Sequence, residues 1–265
     1  MRRLTHLMWL AIVLSFLFTT VCPAFGIDKE EFIKQARKSY YNLPNAGLKE
    51  FRCEVTPDWD ATFKALKTDQ VGRDQVLPIL RKTHFQLVVG PQGASTVSHQ
   101  SEIAPPNEQV AERVREAISG MEQLLTGFLQ TWSQFMINVP IPDEADGYQS
   151  ENLGDRYRLA MKAGTTEAAI VLGNDSQIIE VEATTAEFSG TVQPKFTPTT
   201  GGLILASYTA TVKTQSANAQ KLAVKIDYKD VEKLTLPSRV VVILDLPSGA
   251  AEFSFDFTNY KIKKS

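Results

Sequence analysis

The sequence predicts an α+β protein: a curled antiparallel sheet (a half-open β-barrel) covered by a long amphipathic helix and shorter helices. Three observations predict it. From Asn107 to Val139, apolar residues recur in steps of three and four, which puts one wide apolar stripe on a helix. After it, short alternating runs follow one another through tight turns; the whole chain offers about ten strands, the pattern of an antiparallel meander. There is no βαβ alternation and no internal repeat. So long a sheet curls through its own twist, and a helix with one apolar stripe beside it has to cover it.

The chain opens with Arg2 and Arg3, an apolar stretch from Leu7 to Phe18 and then Ala24-Phe25-Gly26. Basic start, short hydrophobic middle and small residues before a cut form a secretory signal peptide over residues 1–26, cleaved after Gly26. The apolar stretch falls short of the ~20 residues that span a bilayer. Residues 27–265 then form a single exported domain, placed in a periplasm, with transient membrane contact at most. Removal of Arg2 and Arg3 lowers Lys+Arg from 28 to 26 against 30 Asp+Glu, a net charge near −4 that argues against nucleic acid as a partner. Cys53 is the one cysteine left, so no intrachain disulfide forms, and its alternating context reads as a small buried hydrophobe.

Asp28 to Tyr41 reads as a first helix, with Asp28 as cap, Glu31 in capping-box position and Phe32, Ile33, Ala36 and Tyr40 on one face. Phe51, Cys53 and Val55 alternate as a half-buried strand. Thr56-Pro57-Asp58 reads as a helix start, with Trp59, Phe63 and Leu66 on the buried side. Asp74 to Lys82 is helical in composition but interrupted by Pro78. Residues 84–99 form a hairpin turning at Gly90-Pro91-Gln92-Gly93. Asn107 caps the long helix and Pro140 ends it. Strands follow over 156–162, 168–172, 178–183, 188–192, 203–213, 221–228, 239–244 and 251–257, with a Pro/Thr/Gly loop at 194–202. Val240 to Leu244 and Ile170 to Leu172 are apolar on both faces, which predicts local cover on both sides.

Catalytic constellations are thin, and the sequence reads as no enzyme. His84 and His99 could approach across the hairpin but lack a third ligand at metal spacing, so they read as solvent-side residues and no metal or cofactor is expected. No serine lies in a nucleophile elbow, and no phosphate loop or dinucleotide fingerprint occurs. The acidic stretch Asp143-Glu144-Ala145-Asp146-Gly147 lacks calcium-loop spacing and reads as a solvated linker. Asn174-Asp175-Ser176 fits a glycosylation sequon but is explained as a turn. More informative is the helix stripe. Met121, Leu125, Phe128, Trp132, Phe135 and Met136 place flexible methionine and bulky aromatics on a lid facing an apolar sheet, the wall of an adaptable cavity for acyl chains. Taken singly, each is ordinary helix-to-sheet core.

Leu236-Pro237 before a strand, a glycine turn at Ser248-Gly249, and a last aromatic strand through Phe253, Phe255 and Phe257 into Asn259-Tyr260-Lys261 resemble the ending of periplasmic outer-membrane lipoprotein-sorting (lipoprotein carrier) proteins. Near the start, Tyr40-Tyr41-Asn42-Leu43 and Gly47-Leu48-Lys49-Glu50-Phe51 are similar too. The resemblance implies a half-open barrel lidded by helices, a cavity for lipid or lipoprotein acyl chains, and envelope proteins as a further partner class. Those carriers follow the first strand with a glycine-bearing strand ending in Arg-Pro, which this sequence lacks, so no single functional residue carries over. The expected function is acyl-chain binding as a carrier or chaperone. The alternative is a non-enzymatic envelope scaffold without a small ligand.

Overall fold

A computed structural model describes residues 29–139, 141, 148–163, 165–214, 217–246 and 249–265. The signal peptide, Pro140 and the acidic stretch 143–147 lie outside the described residues.

The first helix, α1, spans Lys29–Lys38, and the first strand, β1, Leu48–Pro57. Thr56 and Pro57 remain in that strand rather than starting a helix. The cap is Asp58, whose Oδ1 accepts from the Ala61 amide at 3.0 Å to open α2, Trp59–Ala65. Pro78 is accommodated because it stands in the first turn of α3, Leu77–Leu80, directly after a π-helical turn at Gly72–Val76. Strands β2 (Thr83–Val89) and β3 (Ser95–Ser101) make the hairpin.

Asn107 caps α4, Glu108–Ser133, its Oδ1 accepting from the Val110 amide at 3.0 Å. The helix widens into a π turn over Gln134–Asn138, and Val139 turns the chain at φ 51°. The remaining strands are β4 (Gln149–Asn152), β5 (Arg156–Ala163), β6 (Thr166–Gly173), β7 (Ile178–Thr184), β8 (Phe188–Thr199), β9 (Gly202–Thr214), β10 (Ala217–Val231), β11 (Leu234–Leu246) and β12 (Gly249–Lys264).

Among the described residues all twelve strands join one sheet in the order β3-β2-β1-β12-β11-β10-β9-β8-β7-β6-β5-β4. Every named pairing is antiparallel, and β3 and β4 are free edges, so the sheet does not close into a barrel. Beyond the expected number, the polar edge strand β4 pairs along β5 from Gln149 opposite Ala160 to Asn152 opposite Tyr157.

The Pro194–Gly202 segment is a correction: it is not a loop. β8 continues through both prolines to Thr199, pairing Pro194 with Tyr208 and Pro198 with Leu203 of β9. Its pairing with β7 ends at Val192, so beyond that point β8 has one hydrogen-bonding neighbour and proline costs no ladder bond on the other side.

Two covers lie on one face of the sheet. The long helix lies over the half holding β1, β2, β3 and β12: Phe128 meets Phe257 at 6.0 Å and Trp132 meets Phe51 edge-on at 6.1 Å. α1 and the segment after it hold the other half, with Phe32 on Tyr157 at 4.7 Å and Tyr40 edge-on to Phe196 at 5.0 Å. The long helix and a shorter one thus share the cover, as the expected fold has it. Of the two stretches expected to be covered on both faces, Ile170 to Leu172 is buried throughout, whereas on β11 Ile243 is 41 % exposed and the outer face is open.

Candidate functional site

The six stripe residues all face the sheet and all are buried, Trp132 and Met136 completely. Their helical spacing brings them to one face, and α4 lays that face on the aromatic strand β12 and on β1. Trp132 Nε1 donates to the Tyr228 hydroxyl at 3.1 Å, which donates in turn to the Leu205 carbonyl at 2.7 Å. This chain ties α4 to β10 and β9 in an apolar setting, and desolvation pushes the Tyr228 phenol well above its ordinary pKa. Phe135, in the π turn, meets Phe196 of β8 at 5.8 Å. The π turn is held from below: the Asn42 side-chain amide donates to the Ile137 carbonyl at 2.7 Å and the Leu43 amide to Met136 at 2.9 Å.

Tyr40 and Tyr41 stitch the second cover down. The Tyr40 hydroxyl accepts from the Ile178 amide at 2.6 Å, and the Tyr41 hydroxyl from the Thr235 amide at 3.0 Å. The backbone of this segment runs against Leu203, with Tyr41 donating to the Leu203 carbonyl and Leu203 donating to Ser39. So close an approach needs Gly202: its φ is +120°, and a Cβ there would lie 2.7 Å from the Tyr41 nitrogen.

Between these covers and the tips of the long strands the inner face is apolar and only partly sealed. One transverse row crosses eight strands by successive pairings: Leu159, Ile170, Val181, Val192, Ala210, Leu222, Leu244 and Ala251. Its two ends are buried, whereas the five residues from Val181 to Leu244 are half-buried. One step deeper, Tyr208, Val224, Val242 and Phe253 are buried. Toward the strand tips lie Val212 at 39 % exposure and Phe188 at 41 %. Burial thus grades along the strands from a sealed core to an open apolar margin. The stripe is that core's wall; the row is its rim. Sequence alternation showed each strand's inward residues, but only the register aligns them into a row.

The histidines do not meet. The hairpin register sets His84 opposite Gln100 and His99 opposite Phe85, so the two rings project to opposite faces. His84 Nε2 lies 3.1 Å from Glu102 and His99 Nδ1 2.8 Å from Glu122 of α4. Among the described residues no group of three or more His, Cys, Asp and Glu side chains could hold a metal ion, and no helix is long and apolar enough to cross a membrane. Cys53 is buried on β1, and desolvation pushes its thiol up to about 12.

No family model and no curated protein matches the chain. Among solved structures it shows a distant similarity to the crystal structure of a LolA superfamily protein from Nitrosomonas europaea: 8% identity, TM-score 0.32, covering 89% of this chain and 94% of that one.

Proposed function

We propose that residues 27–265 form one exported envelope domain of carrier or chaperone type, without catalysis, that holds an acyl chain against the inner face of its sheet. The half-buried row from Val181 to Leu244 carries the reading. Five adjacent strands present only apolar side chains there, between the covers and the strand tips, in positions a hydrocarbon chain would shield from water. Each CH₂ so buried contributes ~0.8 kcal/mol, so a single chain along the row has ample driving force. Met121, Leu125, Phe128, Trp132, Phe135 and Met136 form the opposing wall, reached as α4 lifts from the rim. Their adaptable and aromatic side chains suit a ligand of variable shape. The leader-like start, residues 1–26, supports export to a periplasm, with acyl chains of lipids or lipoproteins as the ligand class and an envelope protein as exchange partner.

The second reading, a scaffold whose helix is permanent core, is favoured by the complete burial of Trp132 and Met136. Titration with cis-parinarate, whose polyene fluoresces on leaving water, separates the two. The carrier reading expects saturable fluorescence from which Leu222→Asp removes about one equivalent of bound probe without unfolding the protein. Equal binding by wild type and Leu222→Asp, or none by either, sinks it.

A further inference from the structure

On the sheet face turned away from the helices, β8 to β12 leave a groove of about 820 Å³. That is the size of a small-molecule site, within the ~300–1,000 Å³ usual for such pockets. Its floor is apolar. Ala223 lies opposite Ile243, and Val241 stands two residues along the same strand on the same face. Outward-facing sheet residues are normally polar, so these three are conspicuous.

Beside this floor a second row runs Lys195, Ser207, Lys225 by direct pairing across β8, β9 and β10. Strands lie ~4.8 Å apart, so the lysine backbones are separated by roughly 10 Å, and their long side chains can converge on one anion above the Ser207 hydroxyl. Both lysines line the groove. Lys225 has a loose contact, 3.6 Å from Asp227 with both groups well exposed, and such a pair holds its charge only weakly in water. Lys195 enters no ion pair among the described residues. At the other end of the floor Glu252 pairs opposite Ile243. It repels an anion there, whereas the groove's other carboxylate, Asp227, stands beside Lys225 and leaves Lys195 as the cation without an ion-pair partner among the described residues.

We propose that this groove is a second binding site, for a single-chain anionic amphiphile. Its oxyanion head, a carboxylate or a phosphate, sits between Lys195 and Lys225, and its hydrocarbon tail lies over Ala223, Val241 and Ile243. The site lies on the opposite side of the sheet from the proposed acyl row and does not depend on it.

The test uses the full mature chain carrying Leu222→Asp, which removes the inner row, titrated with 11-(dansylamino)undecanoate and with its methyl ester. The expected result is saturable binding of the acid, weakened at least about tenfold by Lys195→Glu with Lys225→Glu, with the weaker binding of the ester unaffected by those charges. Ile243→Asp should remove both. Inorganic phosphate should not displace the probe, because the tail supplies most of the affinity. The proposal is overturned if the lysine variant binds the acid as tightly as its parent, if phosphate alone displaces the probe, or if no probe binds the Leu222→Asp chain. Failure of the inner reading looks different: there the stoichiometry of wild type and Leu222→Asp would be the same.

Discussion

At the residue scale, the hydrogen-bond chain from Trp132 through Tyr228 to Leu205 makes an asymmetric prediction. Trp132→Phe removes the donor and one ring of the indole while the Tyr228 hydroxyl keeps its carbonyl partner, so the bond should cost about 1 kcal/mol and the cavity about as much again. Tyr228→Phe strands a buried indole N–H and a carbonyl together and should cost about 2–4 kcal/mol, since each unpaired buried group carries its own penalty. Urea unfolding of the two variants checks the order. A reversed order means the indole finds another acceptor.

Burial also fixes how stability responds to alkali. The Cys53 thiol is raised from 9.0 to about 12, so the folded state keeps a proton that the unfolded chain releases. Its contribution is therefore fully present below about pH 9 and is lost as pH climbs toward 12. The buried phenols of Tyr40, Tyr208, Tyr228 and Tyr260 are shifted upward as well, chiefly by desolvation, and act in the same sense. Denaturation midpoints followed from pH 7 to 11 should stay level at first and then fall steeply. A midpoint that rises above pH 9 contradicts the burial of these groups.

At the scale of elements, the long helix was legible in the sequence because its signals are local: the apolar period, and an Asn107 side chain three residues from the amide it accepts from. What escaped depended on neighbours far along the chain. The prolines of β8 look like a loop, yet they fit a strand whose partner β7 has already stopped pairing at Val192. The hairpin histidines look adjacent until a register one residue different sends them to opposite faces. The anchoring of the shorter cover hides for the same reason, since Tyr40 and Tyr41 reach Ile178 and Thr235, 138 and 194 residues away. Of the candidate site, the stripe on α4 could be read from spacing. The transverse row could not, because eight strands must be put in register before it exists.

Gly202 tests that second cover. Gly202→Ala forces a side chain into the Tyr41 backbone at positive φ, and we expect a loss of more than about 2 kcal/mol, above the ordinary cost of an incompatible glycine replacement. Thermal unfolding measures it. Gly249→Ala is the control: its φ is +114° but a Cβ there meets nothing within 4 Å, so it should pay only the conformational strain. Equal losses at both positions mean the packing of Tyr41 on β9 contributes nothing.

At the scale of the whole molecule, an open sheet covered on one face by two helical segments has its apolar interior sealed at one end and graded toward exposure at the other. Trp132 and Phe255 both belong to the sealed end, each fully buried. Trimming either to Ala should cost the ~3–5 kcal/mol of a deleted core aromatic. Only Trp132→Ala, which loosens the lid wall, should also change how much acyl ligand the protein retains. Organic-solvent extraction of the protein after export to a bacterial periplasm, followed by mass spectrometry of the extract, measures acyl-chain binding by the inner face. An acyl chain held on the inner row gives acyl-bearing lipid at about one equivalent per chain, falling away in a folded Leu222→Asp variant. An extract free of lipid, or one that Leu222→Asp leaves unchanged, would contradict it.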